Sequence, residues 1–300
     1  MSEQIVPDSE HRGLVARLPQ LPRDLALLAR FDRPIGWWLL FWPCVFGVWL
    51  AGAGAQLALL GWLLLGSIAM RGAGCVYNDI VDADLDKQVA RTALRPVANG
   101  RVSKKAAWAW LVSLCLVGLV VLLQLRWQAQ IVALGSLALV AAYPFMKRIT
   151  WWPQAWLGMV FNWGLLVGWA ELRWDNWDVL ACLYAGCICW VIGYDTIYAL
   201  QDREDDAMVG IRSSALAMGA RVQGGIAGFY AAAIGLWALG FWLYRADLLA
   251  CLALLPVAGH LAWQVATLDA DDPMNPLERF RANRWAGALM AAACFVVGNA

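Results

Sequence analysis

Apolar and charged positions are sharply segregated along this chain. Pro34 to Met70 run for 37 residues without a charge. Further uncharged stretches follow at Ala106–Leu125, Trp127–Met146, Ile149–Ala170, Val179–Tyr194, Val222–Tyr244, Leu248–Leu268 and Trp285–Ala300. A helix that crosses a bilayer needs about 20 apolar residues, so each of these predicts one transmembrane helix. The first stretch is too long for one. If it turns at AGAGAQ (51–56) and its second helix runs on past Arg71, it makes two. The pattern therefore predicts nine helices, with eight, one of them long and tilted, as the alternative.

The basic residues choose between these counts. With nine helices and the N-terminus inside, 20 of the 23 Lys and Arg fall in inside segments, and only Arg126, Arg173 and Arg245 fall outside. Such a bias predicts a cytoplasmic N-terminus. Residues 1–33 read as a basic cytoplasmic arm, with an amphipathic helix around Leu14–Arg30 on the membrane surface. Residues 34–300 read as one transmembrane domain. Residues 1–30 hold no apolar core of the length a cleavable signal needs.

Composition agrees: 62% of residues are hydrophobic, 15% are charged, and the mean hydropathy is +0.58. This excludes an ordinary soluble enzyme, a disordered chain and a nucleic-acid binder. Two histidines are too few for a His-rich metal centre. The eight cysteines sit mostly in apolar runs, and Cys187-x-Cys189 lacks the gap of a zinc or redox pair, so they read as small core residues. The 20 tryptophans suit an interfacial belt or the lining of an apolar cavity.

The acidic residues concentrate in two inside loops, about 78–105 and 201–221. The first cluster is Asn78-Asp79-Ile-Val-Asp82-Ala-Asp84-Leu-Asp86. On a helix, Asn78, Asp79, Asp82 and Asp86 share one face and Asp84 points away. In the second, Tyr194 to Asp206, the residues Asp195, Tyr198, Asp202 and Asp206 fall along one side. Asp82-x-x-x-Asp86 recurs as Asp202-x-x-x-Asp206, which predicts two related halves facing one cavity. Carboxylates beside hydrocarbon are costly unless paired or metal-bound. Mg²⁺ takes few protein carboxylates and shares substrate phosphate oxygens. Lys87, Arg91, Arg95 and Arg212 lie beside the clusters and suit phosphate oxygens. A metal–diphosphate site accounts for both signs of charge, where capped helix ends would account for one cluster alone.

The stretch Tyr143 to Gln154, whose two prolines bracket an inside turn, carries Lys147 and Arg148, suited either to an anionic ligand or to positive-inside topology. Asn162 is a polar residue at membrane depth, suited to a substrate or to a neighbouring helix. His260 reads as a satisfied interhelical residue.

Six stretches in order resemble the UbiA superfamily of intramembrane aromatic prenyltransferases. They are RPIG with the following LLFWP, GCVYNDIVDADLDKQVARTALRP (74–96), YPFMKRITWWPQ (143–154), LGMVFNWG (157–164), YDTIYALQDREDDAMVGIRSSALAMG (194–219) and LERFRANRWAG (277–287). The 194–219 stretch is similar to the 4-hydroxybenzoate branch. Arg95-Pro-Val-Ala-Asn-Gly departs from the usual RPLPSG, a change expected to alter local backbone rather than chemistry.

The resemblance implies an all-α fold of nine transmembrane helices around a central cavity opening toward lipid. It implies Mg²⁺ and diphosphate held by Asn78, Asp79, Asp82, Asp86, Asp202 and Asp206. Arg91, Arg95 and Lys147 would grip the diphosphate and Arg148 the acceptor carboxylate. Asp195 and Tyr198 would handle the acceptor ring and its departing proton. The expected reaction moves a polyprenyl group from polyprenyl diphosphate to the ring carbon ortho to the hydroxyl of 4-hydroxybenzoate, a membrane step of ubiquinone biosynthesis. The expected setting is a bacterial inner membrane with the site on the cytoplasmic face and no obligate protein partner. The competing readings are the same chemistry on another acceptor (naphthoate, homogentisate, haem) and a cation transporter, which would carry its acids nearer the bilayer midplane.

Overall fold

The computed structural model describes residues 12–52, 54–87, 92–203, 207–208, 210, 212–270, 272 and 274–300; the side chains of Arg12, Lys147 and Asp202 also lie outside the description. All regular structure among the described residues is helical. The α-helices are α1 (Arg12–Ala16), α2 (Gln20–Leu28), α3 (Ile35–Leu50), α4 (Leu57–Val81), α5 (Ala83–Asp86), α6 (Lys104–Leu122), α7 (Trp127–Ile149), α8 (Pro153–Leu172), α9 (Trp177–Ala199), α10 (Ser214–Met218), α11 (Val222–Arg245), α12 (Leu248–Leu252), α13 (Leu255–Ala266) and α14 (Asn275–Asn299).

Among the described residues, six helical segments are long and apolar enough to cross a membrane: Leu57–Val81, Lys104–Leu122, Trp127–Met146, Trp177–Ala199, Ser214–Arg245 and Leu248–Ala266. Ile35–Leu50 is apolar but shorter. Helices α8 and α14 have 20 and 25 residues and fall short of the six in apolar character. The protein is therefore an integral membrane protein. Its helices present wide apolar faces outward, such as Val112, Leu116, Leu119 and Val120 on α6. Lipid tails suit such faces, and a helix there satisfies its own backbone groups.

The chain forms two compact units, Met1–Trp38 with Gly61–Gln124, and Leu39–Leu60 with Leu125–Ala300. In the first unit, Leu28 and Ala29 pack with Val76, Ile80, Ala83, Val97, Val102, Ala107 and Leu114. The Trp110 indole donates to the Leu25 carbonyl at 3.1 Å. The end of the basic arm is thus part of a core rather than a free surface helix. Helix α2 closes on a reversed turn: Phe31 N donates to Ala26 O at 2.9 Å and Arg30 N to Leu27 O at 3.1 Å. This is the Schellman pattern, whose left-handed position normally holds glycine. Here it holds Arg30, at φ +59°. A side chain in that conformation costs about 1–2 kcal/mol.

In the second unit, α3 and α8 cross closely. A Cβ on Gly47 would lie 2.4 Å from Leu165 O, and one on Gly168 would lie 2.5 Å from Cys44 O. Gly164 and Gly168 form the small-xxx-small spacing that lets membrane helices approach. Trp156 and Trp163 of α8, seven residues apart, donate their indole N–H groups to Leu139 O (2.9 Å) and Val132 O (2.7 Å) of α7, also seven apart. These bonds set the register of the two helices. A buried polar chain joins four helices: Trp190 Nε1 donates to Asn283 Oδ1 (2.8 Å), and Asn283 Nδ2 (3.0 Å) and Tyr230 OH (3.0 Å) donate to Gln264 Oε1. Trp169, Trp190 and Trp237 are fully buried, whereas Trp127, Trp174 and Trp177 are exposed, so tryptophan serves both as core and at helix ends. The eight cysteines are free.

Candidate active site

The first carboxylate cluster sits where α4 gives way to α5. The helix does not run through it unbroken. Asp82 stands between the two helices at φ −93°, ψ 3°. The i to i−4 bonds nevertheless continue across the break, from Asp82 N to Asn78 O (2.9 Å) and from Asp86 N to Asp82 O (2.8 Å). The shared face predicted from spacing therefore survives. Asp79, Asp82 and Asp86 are buried at 1%, 0% and 5% exposure, and Asn78 is half-buried. Asp84 points outward, to Lys87 at 3.0 Å and Lys104 at 3.8 Å.

Arginines compensate the buried charge. Arg95 Nη1 donates to Asp86 Oδ2 at 2.8 Å and to Asp79 Oδ1 at 3.2 Å. Arg30 Nη2 donates to both oxygens of Asp79, at 2.9 and 3.0 Å. Burial pushes the Asp86 carboxyl above its ordinary value, and Arg95 draws it only part of the way back. Burial works against the charge of Arg30, but Asp79, Cys75 and Asp32 more than offset it, so this guanidinium binds its proton more tightly than usual.

The loop after the cluster is held from below. Thr92 Oγ1 donates to Asp86 O at 2.9 Å. Asn99, one of three residues that depart from the usual RPLPSG, closes the following turn: its Nδ2 donates to Leu94 O and its Oδ1 accepts from Arg101 N, both at 3.0 Å. Both of these bonds are to backbone groups. Arg91 lies outside the described residues.

The second cluster lies at the end of α9, in the second unit. Asp195 and Tyr198 are half-buried. The Tyr198 ring packs on Phe280 of α14 at 4.6 Å, and Tyr194 packs on the same ring at 5.8 Å. The chain beyond is anchored by Thr196, whose Oγ1 lies 2.6 Å from Ser214 Oγ, and by Ser214 N donating to Gln154 Oε1 at 3.1 Å. The Asp202 side chain and Asp206 lie outside the described residues, as does the Lys147 side chain. Arg148 is exposed. Arg212 donates to Ile149 O at 2.7 Å and lies over the Trp151 ring, so it holds the end of α7 in this structure. Asn162 is fully buried. Its Nδ2 donates to Gly158 O at 2.7 Å, and its Oδ1 has no partner among the described residues. His260 meets Ala282 O of α14 at 3.1 Å, the interhelical role expected of it.

Among the described residues no three His, Cys, Asp or Glu side chains converge on a metal position. The donor set of the first cluster nevertheless fits a hard divalent cation: three buried carboxylates with oxygen ligands, beside an amide. One Arg95 nitrogen lies within bonding distance of both Asp79 and Asp86, so the cluster already holds a positive charge between two carboxylates.

Arg30 is the residue that sequence reasoning missed. It was counted among the basic residues of the arm. The available signal was an arginine at a helix end followed closely by Asp32, Arg33 and Pro34, where glycine is the usual terminator.

The profile of the UbiA prenyltransferase family matches residues 40–293. The chain belongs to this family. One similar relative is "4-hydroxybenzoate polyprenyltransferase, mitochondrial" of Drosophila pseudoobscura pseudoobscura, 40% identical over 291 residues, which cover 95% of this chain and 73% of the relative. Among solved structures, the apo UbiA homolog of Aeropyrum pernix K1 aligns with a TM-score of 0.71 at 25% identity, over 86% of this chain and 97% of that one. The UbiA homolog of Archaeoglobus fulgidus bound to GPP and Mg²⁺ aligns with a TM-score of 0.67 at 16% identity, over 92% of this chain and 100% of that one, a likeness of fold. The UbiA fold is thereby shown for this chain.

Proposed function

We propose that this UbiA-family protein is a Mg²⁺-dependent prenyltransferase that moves a polyprenyl group from polyprenyl diphosphate to 4-hydroxybenzoate, at the ring carbon ortho to the hydroxyl. The observation that carries the reading is 40% identity, over nearly the whole chain, to a relative named for that reaction. Buried Asp79, Asp82 and Asp86 at the end of an apolar helix support it, because they supply the charge that a metal–diphosphate complex requires.

In this reading Asn78, Asp79, Asp82, Asp86, Asp202 and Asp206 hold the metal with the diphosphate. Bound Mg²⁺ supplies charge neutralisation for the leaving diphosphate. Arg91, Arg95, Lys147 and Arg212 bind phosphate oxygens, each guanidinium offering a planar fork. Arg95 has the shortest path, because it already lies among the carboxylates. Arg148 takes the acceptor carboxylate, and Asn162 offers a polar contact at membrane depth. The ring carbon attacks C1 of the prenyl group as the C–O bond to diphosphate breaks, and the displaced ring proton goes to Asp195 or to the departing diphosphate. Tyr198, packed on Phe280, presents an aromatic face to developing allylic cation character. Excluding water from the reaction protects that cation from quenching.

Nine spans with a cytoplasmic N-terminus, and a single functional domain over 34–300, complete the proposal. The basic loops support a site on the cytoplasmic or matrix face of an inner membrane. The test supplies purified membranes with radiolabelled 4-hydroxybenzoate and a polyprenyl diphosphate, with Mg²⁺ or EDTA. A Mg²⁺-dependent, lipid-extractable product establishes the reaction. Folded protein that makes no product moves the assignment to another aromatic acceptor.

A further inference from the structure

Two arginines hold the first carboxylate cluster, and their surroundings differ. Arg95 is reached by solvent and comes from a loop; its side chain is 21% exposed. Arg30 is 13% exposed and tied at both ends. Its Nη1 donates to Leu27 O of its own helix at 2.9 Å, while its Nη2 is chelated by both oxygens of Asp79. The planar guanidinium therefore links the end of α2 rigidly to a carboxylate 49 residues away. Its backbone adds a second, independent observation. Arg30 occupies the left-handed position of the turn, where glycine meets no strain. Backbone strain of this kind persists where the surroundings over-determine the position, and it clusters at functional sites.

We infer that Arg30 is the positioning residue of the first metal–diphosphate subsite: it fixes the Asp79 carboxylate in one orientation, ready to receive the metal–diphosphate complex, and it stays in place when that complex binds. This inference rests on the function proposed above. Asp79 Oδ1 accepts from both Arg30 and Arg95, whereas Oδ2, among the described residues, accepts from Arg30 alone, so Oδ2 keeps a lone pair for an incoming cation. Arg95 occupies the space between Asp79 and Asp86 and is the guanidinium free to leave. Arg30 is anchored to α2 and has no such freedom.

Two variants separate positioning from folding. Arg30→Gly restores the residue the turn prefers and removes the guanidinium. Arg30→Lys keeps the charge and the left-handed side chain, but one ammonium cannot bond Leu27 O and Asp79 through a rigid plane. The probe is Mn²⁺ with inorganic diphosphate, titrated into detergent-solubilised full-length protein and read by electron paramagnetic resonance. Expected are about tenfold weaker binding and an altered Mn²⁺ spectrum in Arg30→Lys, with a larger loss in Arg30→Gly. Both variants are expected to insert in membranes and melt cooperatively. Wild-type affinity and spectrum in Arg30→Lys overturn the inference. Asp79→Asn is the control: if it too binds and turns over as wild type, the metal-site reading itself fails.

Discussion

Replacing Arg95 with Gln separates two roles that one side chain combines. Its Nη1 lies 2.8 Å from Asp86 and 3.2 Å from Asp79, two carboxylates almost sealed from water. Removing one partner of a buried ion pair costs about 3–5 kcal/mol. The cost is smaller here, because Arg95 is partly solvated and Arg30 still pairs with Asp79; about 2 kcal/mol is expected. In the wild type a divalent cation entering between Asp79 and Asp86 must displace Arg95 and forfeit that contact. In Arg95→Gln it forfeits nothing. The difference corresponds to about 30-fold in affinity. Mg²⁺ alone is therefore expected to bind the variant about 30-fold more tightly. Mg²⁺ with diphosphate is expected to bind it more weakly, because the guanidinium that grips phosphate oxygen is gone. Titration calorimetry on solubilised protein, with and without inorganic diphosphate, measures both. Equal or weaker binding of Mg²⁺ alone by the variant would refute the placeholder role of Arg95.

Other substitutions test the remaining assignments. Asp202→Ala is expected to abolish Mg²⁺-dependent product formation while membrane insertion, followed by fractionation, stays intact. Asn283→Leu removes two interhelical hydrogen bonds and strands the buried Trp190 N–H; a loss of about 2 kcal/mol is expected in detergent-driven unfolding. Gly47→Ala places a methyl 2.4 Å from Leu165 O, a backbone atom that no rotamer change can move; about 1–3 kcal/mol of destabilisation is expected. Gly61→Ala, inside α4 with nothing within 4 Å of the added methyl, should not lower the melting transition.

Much of the site was legible because its signals are local. Asp79, Asp82 and Asp86 lie three and four residues apart, and that spacing placed them on one face and Asp84 off it, as found. The break at Asp82 was not legible, because the hydrogen bonds on either side of it keep helical spacing. Arg212 reads as a phosphate ligand from its place beside the second cluster; its contact with the carbonyl of Ile149, 63 residues away, is one that only the fold brings about. Asn162 was recognised as a polar residue at depth, but only the structure reveals that its amide nitrogen turns back to Gly158 within its own helix.

By itself the sequence determined the membrane class, the helical runs and the identity of the carboxylate clusters. These follow from how long the chain stays apolar and from helical periodicity, both properties of neighbouring residues. Tertiary structure alone decided which cations meet those carboxylates. Arg30 is one of several arginines in a basic arm until the turn after α2 aims it at Asp79. The Gly47 crossing and the Trp190–Asn283–Gln264–Tyr230 chain likewise exist only once distant helices pack. Long-range pairing depends on where helices come to rest, and no local pattern in the chain encodes that.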